Sequence, residues 1–205
     1  SYLAFAIYEL LFTLYSAQMK NNPNIIYGKH ASIAVLSNPM RKIKRVMVTK
    51  NTKEELGDKV FSNVKNLLTV DSKKLDDLLP REAVHQGIAI ECEPLAQPSL
   101  HEWLNADYNK PVLILDQVSD PHNVGAILRS GAAFDVGAVI ATDRNAPSES
   151  GVMAKTASGA LEIVPLISVG NLVQAIELLK KSGYWIYGLD GEAKQTIDEI
   201  KMDKK

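Results

Sequence analysis

The chain has 205 residues, of which 46% are hydrophobic and 23% are charged, and its formal net charge at pH 7 is −1. This composition is ordinary for a soluble globular protein and suits one large domain or two small ones. The single cysteine, Cys92, excludes an internal disulfide and a cysteine-based zinc site, and the four histidines lack the spacing of metal ligands. We therefore expect no bound metal and a reducing, cytoplasmic location.

The charge is unevenly distributed along the chain. Residues 1–95 carry 13 Lys/Arg and 10 Asp/Glu, a net charge of +3, whereas residues 96–205 carry 10 and 14, a net charge of −4. A basic front half predicts that this half of the chain meets a polyanion.

Residues 1–16 are apolar with helical spacing and contain one acid, Glu9. The stretch is shorter than the roughly 20 residues that span a bilayer, and it lacks the basic start of a secretory signal. We predict a helix packed on the body of the protein or a poorly ordered extension, with a membrane anchor as the alternative. The turn-forming residues 21–24 end this extension, which we assign to residues 1–23.

Residues 24–95 have the pattern of a small α/β domain in which helices and strands alternate. The long amphipathic helix is expected to start at Thr52, with Glu55 completing a capping box. The predicted elements are a helix from residue 29, a strand at 43–49, a helix at 52–68, a short strand at 69–70, a helix at 73–79 and a strand at 85–92.

A cluster of bases without any acid lies between residues 41 and 53. Contacts from such bases to phosphate supply affinity without reading sequence, so the cluster suggests RNA contact. A solvated charged face is the alternative. The bases are Arg41, Lys42, Lys44, Arg45, Lys50 and Lys53.

Residues 96–110 are polar and flanked by prolines, which predicts a linker between two domains. Residues 101–104 are expected to form a brief helix whose Trp103 packs on one of the domains. The second domain is assigned to residues 111–205.

The stretch 113–142 organises this second domain. The short apolar run at 112–115 predicts a strand buried on both faces, and 138–141 predicts a second one. Between them, Asp120 as N-cap and Pro121 at the first helical position mark the start of a helix with an apolar stripe. The pattern is one right-handed βαβ unit.

Two polar residues of this unit point to a binding site. Asn123 lies in the first helical turn, beyond the carboxyl end of the strand, where ligands bind in open α/β sheets. Arg129 lies roughly 9 Å further along the helix axis, and its long side chain leans back toward the same edge. Gly125 and Ala126 keep this turn thin, so that a ligand or another backbone can approach closely.

The residues D-x-x-x-D-P-H-N-x-G-A-x-x-R-S, starting at Asp116, resemble the first signature motif of the SpoU (TrmH-like) RNA ribose 2′-O-methyltransferases of the SPOUT superfamily. The resemblance implies an α/β fold with a parallel SPOUT sheet, S-adenosylmethionine as cofactor and RNA as partner. It assigns catalysis to Asn123 and Arg129, with the arginine acting on the ribose hydroxyl. The alternative is an ordinary Rossmann-like unit with a surface arginine.

The first domain also carries a resemblance. Ile26-Tyr27-Gly28-x-His30 and residues 84–89 are similar to the substrate-binding domain that precedes the catalytic domain in many SpoU enzymes, a fold like that of ribosomal protein L30e. Alternatively, His85-Gln86-Gly87 is only a turn into a strand. The resemblance implies RNA contacts at Arg41, Lys42, Lys44, Arg45 and Gln86.

After the central unit, Ser148 is expected to cap a helix at 149–157, and the resemblance makes Lys155, with Thr156 and Ser158, a candidate RNA contact. The pattern then predicts a strand at 161–166, a helix at 172–181 capped by Asn171 and a buried strand at 184–189. The end of this last strand resembles the start of the family's cofactor site. The cofactor candidates there are Gly188, Leu189 and Gly191.

Two later motifs of the family, a Gly-rich loop around a glutamate and a segment with Ser-Leu-Asn, do not occur before Lys205. We therefore expect an incomplete methyltransferase domain with an exposed sheet edge, marginal stability and weak cofactor binding. The complete family member is expected to be a homodimer.

The predicted function is S-adenosylmethionine-dependent 2′-O-methylation of an RNA ribose, most similar to the methylation of a guanosine in 23S rRNA. Transfer RNA is the alternative substrate. A fragment that binds RNA without catalysis is a second alternative. A dinucleotide-dependent oxidoreductase is disfavoured because no G-x-G-x-x-G follows either strand.

Overall fold

The computed structural model describes residues 24–106, 110–144, 146–196 and 199, so the helix predicted at residues 1–16 lies outside the described residues. The first sheet contains four strands: β1 (Ile25–Tyr27), β2 (Ile43–Val48), β3 (Leu67–Thr69) and β4 (Ile88–Cys92). Their order in the sheet is β1-β4-β2-β3. β4 runs antiparallel to both of its neighbours, and β2 and β3 are parallel.

Three short α-helices and one 3-10 helix accompany this sheet: α1 (Lys29–Ser37), α2 (Lys50–Leu56), the 3-10 helix Asp58–Phe61 and α3 (Ser72–Leu78). The predicted helix at 52–68 was wrong. Thr49, not Thr52, caps α2 by accepting the backbone N–H of Thr52. Gly57 ends the helix in a backbone conformation with φ of +78°, and residues 67–69 pair with β2. Pairing across the sheet therefore overrides the local helical pattern.

The second sheet is parallel, in the order β5-β6-β7, as the βαβ pattern predicted. α5 connects β5 to β6, and its buried residues include Val124, Leu128 and Gly131 of the predicted stripe. The elements are α4 (Leu100–Asn105), β5 (Val112–Leu115), α5 (Pro121–Ala133), β6 (Ala138–Thr142), α6 (Gly151–Ala157), the 3-10 helix Ala160–Glu162, β7 (Leu166–Val169) and α7 (Leu172–Lys181).

Three predictions in this half were wrong in detail. Ser150, not Ser148, caps α6, and the strand predicted at 161–166 begins only at Leu166. Residues 184–189 form no strand and pair with no described strand, and the side chains of Trp185 and Leu189 are exposed. β5 pairs only with β6 among the described strands, so the second sheet has an open edge there.

The predicted linker contains a helix that is fixed to the second sheet. Ser99 and Glu102 form a reciprocal capping box at the start of α4. Trp103 is buried, donates its indole N–H to the carbonyl of Gly137 at 3.1 Å, and packs beside Tyr184. This confirms that Trp103 packs on a domain.

The largest apolar cluster contains buried residues from both sheets, and two smaller clusters lie elsewhere in the structure. We call residues 24–95 the N-terminal module and residues 110–196 the C-terminal module. The shared cluster joins Ile26 and Val46 of the former to Leu128 and Met153 of the latter. A Cβ atom on Gly151 would collide with the backbone of β1. The modules are therefore in direct, close contact.

Within the described ranges, no helix combines the length and the apolar character needed to cross a bilayer.

Gly125 is a close-contact point between α5 and α6, so the approaching backbone belongs to the protein itself. A Cβ atom there would lie 2.7 Å from the carbonyl oxygen of Met153. We expect Gly125→Ala to lower the melting temperature, because overpacking costs about 1–3 kcal/mol and exceeds the roughly 1 kcal/mol gained in helix propensity. Calorimetry measures the shift.

Gly131→Ala is the matched control for that substitution in the same helix. A Cβ atom at Gly131 would meet Val136 at an ordinary contact distance of 3.4 Å. This variant should be at least as stable as the parent. Equal melting temperatures for both variants would contradict the close contact at Gly125.

Candidate active site

The start of α5 is built as the sequence predicted. The Asp120 carboxylate accepts the backbone N–H of His122 at 2.9 Å, and Pro121 occupies the first helical turn. Gln117, in the loop that leaves β5, has a φ of +58°. This tight connection places Asn123 in the first turn, at the carboxyl edge of the parallel sheet.

Arg129 lines a cleft of about 590 Å³ between the two modules. The N-terminal module contributes the end of α1, including Asn38, and the C-terminal module contributes α5, the end of α6 and Glu162. Arg129 is exposed and has no hydrogen bond or ion pair with any described residue. Because a guanidinium stays charged at all physiological pH values, an unpaired positive charge faces this cleft.

Asn123 is also exposed, but it does not line the cleft. Six residues of α-helix turn its side chain about 120° away from that of Arg129. No hydrogen bond joins the two side chains in the described structure, so Asn123 does not hold the Arg129 guanidinium in place. Both side chains are accessible on the surface of α5.

His122 and Thr156 connect α5 to α6 beside Asn123. The imidazole Nδ1 lies 3.3 Å from the hydroxyl of Thr156, which in turn donates to the carbonyl of Val152 at 3.0 Å. The first turn of α5 is therefore fixed against α6.

Arg41 was predicted to contact RNA, and this prediction was wrong. Its side chain is fully buried and forms ion pairs of 2.6 Å with Glu149 and 2.6 Å with Glu162. Burial would lower the pKa of Arg41, but hydrogen bonds to these two carboxylates more than compensate, so the pKa stays above its ordinary value. A guanidinium held in this way is not available to phosphate.

The other three bases that were predicted to contact RNA in or next to β2 differ in exposure. Lys42 is 79% exposed and only loosely paired with Glu93 at 3.4 Å, and Lys44 is exposed. Arg45 has a side chain that is only 14% exposed and lies 3.7 Å from Glu91. Lys42 and Lys44 are therefore the two bases of this group that remain open to RNA.

Gln86 lies in a turn that side-chain hydrogen bonds stabilise, and not in a strand. His85 accepts the backbone N–H of Gly87 at 2.9 Å and contacts Asp76 at 3.0 Å, and Gln86 and Gly87 both have positive φ angles. The Gln86 side-chain oxygen accepts the backbone N–H of Lys29 at 3.0 Å. Its amide N–H groups have no described partner and remain donors for a ligand.

Lys155 projects from α6 onto the N-terminal module. Its ammonium donates to the carbonyl of Val84 and lies 5.9 Å from the centre of the Tyr27 ring. Partial burial lowers the pKa of Lys155. Lys155 thus contacts protein groups in this structure, and its predicted role in RNA binding stays a prediction.

The three cofactor candidates line a separate concavity of about 500 Å³ that is formed by residues 187–196 alone. A side chain at Gly188 or Gly191 would meet nothing within 4 Å, and Leu189 is 83% exposed. These residues are therefore accessible, and their predicted role in cofactor binding stays a prediction.

Sequence reasoning missed Glu149 and Glu162, which hold Arg41. The available signal was an acid inside the apolar run 160–164. A buried acid requires a partner, but the sequence does not say which distant base supplies it.

Two family models match the chain. Residues 25–98 match the family described as RNA 2′-O ribose methyltransferase substrate binding. Residues 110–205 match the SpoU rRNA methylase family. The Arg129 cleft lies between these two matched parts.

Curated relatives match most of the chain. The 23S rRNA (guanosine-2′-O-)-methyltransferase RlmB of Pseudomonas putida is 33% identical over 180 residues, which cover 84% of this chain and 72% of the relative. The RlmB protein of Coxiella burnetii is 37% identical over 185 residues, covering 86% and 73%. The chain therefore spans about three quarters of the length of these relatives.

Among solved structures, the SpoU methyltransferase AviRb from Streptomyces viridochromogenes, in complex with the cofactor AdoMet, superposes with a TM-score of 0.63 at 13% identity. The match covers 83% of this chain and 66% of that one. The fold is thus that of a SPOUT methyltransferase domain preceded by a substrate-binding domain, which confirms the predicted fold class. The chain belongs to the SpoU rRNA methylase family.

Proposed function

We propose that this protein transfers a methyl group from S-adenosylmethionine to the ribose 2′-oxygen of a guanosine in 23S rRNA. The observation that carries the proposal is Arg129, an unpaired and exposed cation in the cleft between the two family-matched parts of the chain. RlmB relatives more than 30% identical to the chain support the choice of substrate.

The chemistry requires the 2′-hydroxyl to lose its proton and to be held in line with the methyl donor. Arg129 is suited to both tasks, because its planar guanidinium binds a neighbouring phosphate through two N–H groups and stabilises charge that develops on the 2′-oxygen. The proton passes to solvent. Asn123, which is exposed about 1.7 helical turns earlier, is placed to hydrogen-bond the ribose or a flanking phosphate.

When bound, S-adenosylmethionine supplies an electrophilic methyl group on its sulfonium. Gly188, Leu189 and Gly191 would form one wall of its site. We infer that residues 24–95 act as the RNA-binding domain and residues 111–205 as the methyltransferase domain. A homodimer and a cytoplasmic location stay predictions; sedimentation of the purified protein tests the former.

Methyl transfer to 23S rRNA is the direct test of this function. Purified protein should methylate a 23S rRNA transcript at a concentration of labelled S-adenosylmethionine high enough to offset the weak cofactor binding expected above, and transfer RNA should accept no label. Binding of the transcript without label transfer, and without any effect of the donor on affinity, would instead identify an RNA-binding protein without catalysis.

Lys42 and Lys44 provide a prediction for the RNA surface. Lys42→Ala and Lys44→Ala should each weaken binding to all RNA sequences alike and reduce the slope of log affinity against log salt by about 1, because each removes one phosphate contact. Filter binding over a salt series measures this. Arg81→Ala, at another exposed base of the N-terminal module, is the control, and an equal loss of slope there would argue against a localised surface.

A further inference from the structure

Three charged side chains from both modules meet in a buried cluster, which we call the Arg41 cluster. It consists of Arg41 from the N-terminal module and Glu149 and Glu162 from the C-terminal module. The side chains of the three residues are 0%, 10% and 6% exposed. One guanidinium nitrogen of Arg41 bonds Glu149, and two others bond Glu162.

Further bonds leave little freedom to the two carboxylates. Glu149 also accepts the side-chain amide of Asn24 at 2.6 Å and the backbone N–H of Leu95 at 3.0 Å. Glu162 also accepts the side-chain amide of Asn38 at 2.7 Å. Every one of these bonds joins the N-terminal module to the C-terminal module.

The Arg41 cluster is directly connected to the Arg129 cleft. Glu162 belongs to the cluster and Asn38 donates a hydrogen bond to it, and both residues also line the cleft, on opposite modules. The hydrogen bond between them therefore joins the two modules within the lining of the cleft. A change in their relative position changes the shape of the space that Arg129 faces.

Adhesion between the modules does not require this cluster. The shared apolar core already joins them, and apolar contact is favourable without being directional. A buried ion pair adds little net stability, since the cost of removing its charges from water offsets their attraction. A bidentate guanidinium–carboxylate pair, in contrast, fixes distance and angle.

We propose that Arg41 is a positioning residue that sets the orientation of the RNA-binding module relative to Arg129. This inference rests on the proposed function, because its consequence is the placement of the RNA ribose at Arg129. Arg41 acts through Glu149 and Glu162 and does not touch RNA.

The test is a neutral version of the cluster, Arg41→Met/Glu149→Gln/Glu162→Gln. It leaves no buried charge without a partner; the amide oxygen at position 162 still accepts the bond of Asn38, and the one at position 149 still accepts the bond of either Asn24 or Leu95. The control, Lys110→Met/Asp135→Asn, removes an ion pair of 2.6 Å that lies wholly within the C-terminal module.

Spin labels at Lys65→Cys and Val173→Cys, both exposed positions, report the distance between the modules. Burial raises the pKa of the native Cys92 thiol to about 12, which keeps it from competing for the label. The parent and the control should give one narrow distance distribution, and the neutral cluster a broader one. An equally narrow distribution in the neutral variant would overturn the proposal.

Methyl transfer supplies the second readout. The neutral variant should lose about 10–100-fold in kcat through misplacement of the ribose, while its affinity for RNA and its melting temperature stay close to those of the parent. Unchanged kcat would overturn the positioning role. If the neutral variant does not fold, Arg41→Lys replaces it, because a lysine keeps the charge but cannot bond both carboxylates in the same geometry. It should then show the broader distance distribution and the lower kcat, and parental values of both would overturn the proposal.

The failure of this proposal is distinguishable from that of the proposed function. A parent protein that transfers no methyl group contradicts the proposed function, and the distance distributions still decide whether Arg41 orients the modules. A parent that methylates RNA, with a neutral variant of equal rate and equal distance distribution, contradicts the role of Arg41 alone.

Discussion

Arg129→Ala should reduce methyl transfer by about 100–1,000-fold, because the loss of one preorganised donor at a developing oxyanion costs about 3–4 kcal/mol of transition-state stabilisation. RNA affinity should fall only by the small amount expected for the loss of one phosphate contact. The folded structure should not change, since Arg129 is exposed and bonds no described residue. Single-turnover transfer to saturating 23S rRNA measures the chemical step separately from binding.

Arg144→Ala is the matched control, because Arg144 is an exposed arginine of the same module that does not line the cleft. It should transfer methyl groups at the parental rate. Arg129→Lys should recover only part of the activity, since an ammonium cannot bind a phosphate in the bidentate geometry. Parental turnover by Arg129→Ala would remove this residue from the mechanism.

Arg41→Ala should destabilise the protein by about 3–5 kcal/mol, because it leaves Glu149 and Glu162 buried without their counter-ion. Both carboxylates are at most 10% exposed, so water does not readily replace the guanidinium. Urea unfolding followed by tryptophan fluorescence measures the loss as a lower midpoint at an unchanged slope.

The neutral cluster gives the opposite expectation in the same assay. With both carboxylates replaced by glutamine and Arg41 by methionine, the midpoint should return to near the parental value, because no charge is left without a partner. A free energy of unfolding for Arg41→Ala within about 0.5 kcal/mol of the parental value, as for a surface substitution, would contradict the buried cluster.

The sequence predicted those parts of the fold that depend on local chemistry. The Asp120 cap, the apolar stripe of α5 and the alternation of buried strands around it all follow from residues close together in the chain. The exposure of Arg129 follows in the same way, because a charged residue outside a helical stripe faces away from the core.

The errors arose where distant residues decide the structure. Residues 67 and 68 were assigned to the end of a predicted helix, but pairing with β2 makes residues 67–69 a strand. Arg41 belongs to a run of surface-like bases, and only the packing of two modules buries it against Glu149 and Glu162. The apolar pattern of 184–189 indicates an extended segment but not whether a neighbouring strand is present to pair with it.

The position of the transferred methyl group tests the central claim most directly. After reaction with labelled S-adenosylmethionine, complete alkaline hydrolysis of 23S rRNA should release the label in one dinucleotide whose first nucleotide is guanosine, because a 2′-O-methyl group protects the adjacent phosphodiester from cleavage. Label released in a mononucleotide would place the methyl group on a base and contradict ribose methylation by this protein.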